Sequence, residues 1–217
     1  MIKTAYLFLG PPGSGKGTQA QLLAQDRKLK HIDVGSSLRE RATKGDALAT
    51  TIAAIMKKGQ TVRNSIVNQI IEEKLNEINN QDVVLDGYCR NRPQSKHFLN
   101  LLEQKLINNV IGIYIMISND EIRHRIDGRR YCKYPDQSVK LMNTEKQKEA
   151  CVKKGGILIR RNDDNNKTVE SRIRVFNQKT LPAIDLLASK CRIINIDGNK
   201  PIQQVAQNIK ESLNGVN

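Results

Sequence analysis

Short apolar runs alternate with amphipathic stretches along this chain. Residues 4–9, TAYLFL, form a β-prone run that stops at Gly10, and residues 16–26 carry Ala20, Leu22, Leu23 and Ala24 in helical register. A second strand is expected at 29–34, followed by helices near 37–44, 46–58 and 64–79, where apolar positions recur every three or four residues. Residues 82–85 (DVVL) and 110–117 (VIGIYIMI) read as the clearest buried strands. A last strand at 191–196 precedes a closing helix at 201–213 with Pro201 near its first turn.

Strands alternating with helices predict an α/β fold, with a mostly parallel sheet covered on both faces in three layers. One stretch breaks the rhythm. Residues 131–159 are polar, lysine-rich and carry Pro135, Gly155 and Gly156. That is too long for an ordinary connection, so it reads as a small inserted module or mobile lid within one domain spanning 1–217.

Composition adds limits. Hydrophobic residues at 38% and charged residues at 27% suit a globular protein rather than a disordered one. With 36 Lys+Arg against 22 Asp+Glu the net charge is +14, a surface that attracts polyanions or phosphorylated ligands. Aromatics are only 4% and Trp is absent, which counts against a base-stacking platform and hence against a nucleic-acid partner. No apolar run approaches the ~18 residues of a membrane span, and no secretory leader is visible. The four scattered cysteines (Cys89, Cys132, Cys151 and Cys191) suggest a reducing cytoplasm rather than a disulfide framework.

The chemistry begins between the first strand and the first helix. There Gly10-Pro-Pro-Gly13-Ser14-Gly15-Lys16-Gly17-Thr18 has the composition and placement of a phosphate-binding loop. Its glycines let backbone N–H groups turn toward phosphate oxygens, and the helix N-terminus adds partial positive charge. Lys16 can reach the β- and γ-phosphates, and the Thr18 hydroxyl can lie near Mg²⁺. The usual pattern puts Ser or Thr directly after the lysine, yet here Gly17 intervenes.

The segment GPPGSGKGTQA resembles the P-loop of the adenylate kinase family and related nucleoside monophosphate kinases, which carry Gly-Lys-Gly-Thr. The resemblance runs through nearly the whole chain. It implies a P-loop core with a five-stranded parallel sheet, an acceptor-binding helical segment at about 33–64 and a lid at about 131–159. It implies transfer of the ATP γ-phosphoryl group to AMP with Mg²⁺ as the cofactor, in a cytoplasmic monomer that binds no membrane.

The same resemblance assigns residues. Gly13, Ser14, Gly15, Lys16, Gly17 and Thr18 would surround the donor phosphates. Ile32-Asp33-Val34-Gly35-Ser36-Ser37-Leu38-Arg39 corresponds to a Ser-Thr-Gly-Asp-type turn, with Arg39 on the AMP phosphate by its bidentate guanidinium. Gly59-Gln60-Thr61-Val62 would line the acceptor nucleoside through Gln60 and Val62. Asp86-Gly87-Tyr88-Cys89-Arg90 resembles Asp-Gly-Phe-Pro-Arg. It puts Asp86 beside Mg²⁺-bound water together with Thr18, Gly87 and Arg90 at the acceptor, and Gln94 on adenine. Arg125 and Arg129 share one helix face where the lid begins, both meeting ATP or the transferring phosphoryl group, and Arg161 and Arg172 follow the lid as AMP-binding arginines. Lys200 lies in a loop expected against the donor adenine.

Three acceptor-side positions depart from the pattern: Val34 replaces Thr, Ser36 replaces Asp and Cys89 replaces Pro. A trans peptide and a relaxed turn are expected at Cys89, with a proline there tightening acceptor binding. Relatives that hold the lid with zinc use two Cys-x2-Cys pairs, of which Cys132 and Cys151 are single survivors. A structural zinc needs four ligands and two cysteines cannot complete the set, so no zinc is expected. Lys16, Arg90, Arg125, Arg161 and Arg172 would be the catalytic set. They act by placement and charge, because the acceptor phosphate is already anionic and needs no general base. Competing readings are a UMP/CMP kinase of the same family, which Gln94 argues against, and a basic RNA-binding protein. A GTPase would need Asn-Lys-x-Asp, and Asn166-Lys167-Thr168-Val169 lacks the Asp.

Overall fold

The computed structural model describes residues 1–57, 61–136, 138–142, 144–160 and 164–215. Five strands, β1 (Ile2–Leu9), β2 (Lys30–Asp33), β3 (Val83–Asp86), β4 (Ile107–Met116) and β8 (Arg192–Asp197), form one parallel sheet in the order β2-β3-β1-β4-β8. The five-stranded parallel α/β core read from the sequence is thus present. β1 lies at its centre, pairing β3 on one side and β4 on the other.

Side-chain alternation along β1 sorts the two faces. Ala5, Leu7 and Leu9 join a core with Ile52, Ile71, Phe98 and Leu187. Tyr6 and Phe8 face the opposite way, onto Ala20, Leu23, Val205 and Ile209. The first face is covered by α2 (Val34–Arg41), α3 (Ala47–Lys57), α4 (Asn64–Asn76), α5 (Arg92–Glu103) and α9 (Leu181–Ala188). The second is covered by α1 (Lys16–Asp26) and α10 (Ile202–Asn214). Three layers follow from one alternating pattern.

Residues 131–159, expected only as a polar insert, contain structure of their own. β5 (Arg130–Lys133), β6 (Val139–Met142) and β7 (Ile157–Ile159) make an antiparallel sheet ordered β6-β5-β7, with α7 (Glu145–Lys153) against it. Its core is small: Cys132, Met142 and Cys151, with Tyr134 and Leu158 alongside. Here the structure corrects the sequence reading of the cysteines. Cys132 and Cys151 are joined in a disulfide, with Cα atoms 5.9 Å apart, while Cys89 and Cys191 are free. Spacing could not reveal the pair, because the turn at Gly155 and Gly156 brings the two sulfurs together. A Cβ at Gly156 would overlap both.

α6 (Asn119–Gly128) and α8 (Asn166–Val175) lead into and out of this small sheet and pack through Ile122, Ile126, Val169 and Ile173. α8 continues without a break through a π turn (Phe176–Thr180) into α9, making one rod from 166 to 188. No described helix is long and apolar enough to cross a membrane.

Candidate active site

The loop between β1 and α1 opens at the C-terminal edge of the central strand, where parallel sheets place their ligand crevices. Gly15 sits before the helix at φ 87°, a left-handed conformation that side-chain-bearing residues resist. α1 has no side-chain cap and no acidic residue in its first turn, so its N-terminal N–H groups are left for a ligand. Lys16 Nζ donates to the Pro11 carbonyl at 3.3 Å. Burial brings its ammonium down to about 8, against the opposing pull of Asp86; Arg90 and Arg129 add to the lowering. The buried Ser14 Oγ has no hydrogen-bond partner among the described residues.

Asp86 ends β3 and is 7% exposed. A Cβ on Gly17 would stand 2.9 Å from its Oδ2, which explains why glycine separates the lysine from Thr18. Its Oδ1 is buried without a partner among the described residues. Desolvation raises the Asp86 pKa; Lys16 opposes the rise and the charge of Asp33 adds to it. A buried, orphaned carboxylate oxygen beside a phosphate loop fits a hydrated Mg²⁺.

On the acceptor side Asp33 closes β2 and caps α2, its Oδ1 accepting from the Ser36 N–H at 2.6 Å. Ser37 Oγ donates to the Asp33 carbonyl. Arg39 donates from Nη2 to Ser36 Oγ at 2.8 Å and lies 3.5 Å from Asp33 Oδ1. Arg90 folds back so that Nε donates to the Gly87 carbonyl at 2.8 Å, and its own carbonyl accepts from Thr180 Oγ1. Val34 and Val62 are buried in the main core rather than turned to an open cleft.

Gln94 is 3% exposed, not a surface amide. Oε1 accepts from the Arg90 N–H at 2.9 Å, and Nε2 donates to Asn64 Oδ1 at 3.1 Å. To reach a base its amide must release Asn64. Every described peptide bond is trans, as expected at Cys89, but Cys89 itself lies at φ 57°. A proline, fixed near −65°, cannot take that conformation, so the expected benefit of proline at 89 does not hold.

The arginines beyond β4 fall into two groups. Arg125 spans the donor side: Nε donates to Glu121, Nη1 to the Ser14 carbonyl at 3.5 Å and Nη2 to the Gly198 carbonyl at 2.7 Å. Arg129 and Arg172 instead meet on Asp164, which is 1% exposed. Arg129 pairs with it through Nε at 3.0 Å and through Nη2, and also lies over the Tyr131 ring. Arg160 donates to the Asp164 carbonyl and to Asp127. Lys200 is exposed. Gln60 and Arg161 lie outside the described residues.

The structure therefore gathers Lys16, Asp86, Asp33 and Arg90 at one edge, with Arg125 bridging the loop to Gly198. Sequence reasoning passed over Asp33, although it stood inside a quoted motif, and Asp164, three residues after Arg161. An acid directly among basic motif residues was the available signal. Among the described residues no three His, Cys, Asp or Glu side chains cluster to hold a metal directly, and Cys132 and Cys151 are bonded to each other.

A family model described as adenylate kinase matches residues 8–192. The chain is 35% identical over 213 residues to an adenylate kinase of Petrotoga mobilis, covering 97% of this chain and 98% of that one. It is 34% identical over 211 residues to an adenylate kinase of Caldanaerobacter subterraneus subsp. tengcongensis, covering 96% of each. A Borrelia recurrentis adenylate kinase shares 35% over 216 residues, covering 97% and 96%.

Proposed function

The chain belongs to the adenylate kinase family, and from that premise we propose how its own residues carry out reversible transfer of the ATP γ-phosphoryl group to AMP. It is a phosphotransferase of the nucleoside monophosphate kinase type. The carrying observation is the contact of Asp86 with Gly17, because it joins the donor loop to the turn that holds Arg90.

In this reading the N–H groups from Gly13 to Thr18 and the Lys16 ammonium hold the donor phosphates. Thr18 and Asp86 would hold Mg²⁺ through its water, and the ion would neutralise charge on the phosphates during transfer. Arg39 and Arg90 give up their local partners for the AMP phosphate. Gln60 and Gly87 bound the nucleoside, Val34 and Val62 contribute through backbone alone, and Gln94 exchanges Asn64 for adenine. Residues 33–64 act as the acceptor-binding segment, and 131–159 close as a lid. Closure brings Arg125, Arg129, Arg161 and Arg172 onto the phosphoryl group and excludes water, the rival nucleophile. Lys200 flanks the donor adenine.

The attacking atom is a phosphate oxygen of AMP, anionic near neutral pH, so positioning and charge do the work. The protein is read as a cytoplasmic monomer. Measuring ADP formation from ATP with AMP, UMP, CMP or GMP supplied separately tests the acceptor. Preference for UMP or CMP would overturn the AMP assignment.

A further inference from the structure

Two acids, not one, stand beside the P-loop. A cavity of about 490 Å³ is lined by Gly17, His31, Asp33, Ser36, Asp86 and Tyr131, among others. Asp33 and Asp86 are the last residues of neighbouring parallel strands and are paired in register. Such strands lie about 4.8 Å apart, and paired residues project to the same face. That face is the one α1 covers, because Val84 packs there and Asp86 follows it by two.

Asp86 Oδ1 is buried and unpartnered among the described residues, as is Nε2 of His31 two residues before Asp33. Both described contacts of the Asp33 carboxylate, with the Ser36 N–H and with Arg39, fall on Oδ1. Position 36, where the resembling kinases carry an acid, offers a hydroxyl already engaged by Arg39. A serine there supplies no charge.

We propose that Asp33 is the second carboxylate of this site, holding with Asp86 the hydration shell of the divalent cation that arrives with ATP. This rests on the phosphotransfer reading above. Mg²⁺ dehydrates reluctantly and is commonly held by one or two carboxylates, substrate phosphates and retained water, which suits two acids around a polar cavity. Asp33 is accordingly a positioning residue acting through ordered water.

The test exploits its double duty. Asn caps a helix as well as Asp does, so Asp33→Asn removes the charge and keeps the bond to Ser36. Mn²⁺ titrated into protein with ATP, with free Mn²⁺ followed by electron paramagnetic resonance, should show affinity about tenfold weaker in the variant. The Mg²⁺ concentration for half-maximal transfer should rise in parallel, while metal-free ATP binding and the melting temperature stay close to wild type. Asp33→Ala should lose the same metal affinity and also melt earlier. Unchanged Mn²⁺ affinity in Asp33→Asn would overturn the proposal. So would an equal loss of metal-free ATP binding, which would mark a distorted loop. A wild-type preparation that transfers to AMP while Asp33→Asn keeps its Mn²⁺ affinity refutes the Asp33 role alone. A wild type with no transfer to AMP refutes the functional reading and this role with it.

Discussion

The carboxylate of Asp86 lies against the backbone of Gly17, leaving no room for a side chain between the donor loop and the end of β3. Gly17→Ala forces either the loop or the carboxylate to shift. Because displacement of about 1 Å can cost 10²-fold, the expected result is a fall of roughly that size in kcat. The melting temperature should change little. Steady-state kinetics and a thermal melt on the same preparation check both.

Lys16→Ala should lower transfer by about 10²–10³-fold without unfolding the protein, since the loss falls on charge rather than packing. A coupled ADP assay beside far-UV circular dichroism measures it, and a wild-type rate would refute the P-loop assignment.

Lys16 also sets a pH signature. With its pKa lowered to about 8, mainly by burial, the free protein carries a partly neutral lysine above that pH. Phosphates favour the charged form and raise the pKa, so ATP binding should take up protons between about 8 and the ordinary lysine value. Calorimetry in buffers of different ionisation enthalpy should show clear uptake at pH 8.5. Lys16→Ala should abolish it.

Cys89→Pro should destabilise the protein by about 3 kcal/mol or more, because proline cannot adopt φ 57°. Cys89→Gly removes that backbone strain. Urea denaturation should place the proline variant well below the glycine variant, and equal midpoints would contradict the left-handed turn.

Much of this was legible because its causes are local. The Ala5/Leu7/Leu9 against Tyr6/Phe8 alternation and the spacing of Ala20, Leu23 and Ala24 give β1, α1 and the layering directly. What stayed hidden depends on contacts distant in sequence. The strands of the small sheet are three or four residues long, too short for period-two alternation to register. The Cys132–Cys151 bond depends on Gly156 offering no side chain. Gln94 reads as a recognition amide, but its partners, Asn64 and the Arg90 backbone, come from the folded turn.

The disulfide closes a span of 19 residues, for which loop-entropy arguments give about 3 kcal/mol. Dithiothreitol or Cys151→Ser should speed hydrogen exchange across 130–159 and leave the five-stranded sheet protected. Elemental analysis of the oxidised protein should find far less than one zinc per chain.

The continuous rod from 166 to 188 has a mechanical consequence. Arg172, which meets Asp164, and Thr180, which holds the Arg90 carbonyl, are eight positions apart on it, about 12 Å along a helical axis. One continuous helix therefore ties the acid that gathers the lid arginines to the turn that holds Arg90. If the lid moves when the donor arrives, Arg90 should feel it through this one helix, with bending expected at the π turn that ends at Thr180.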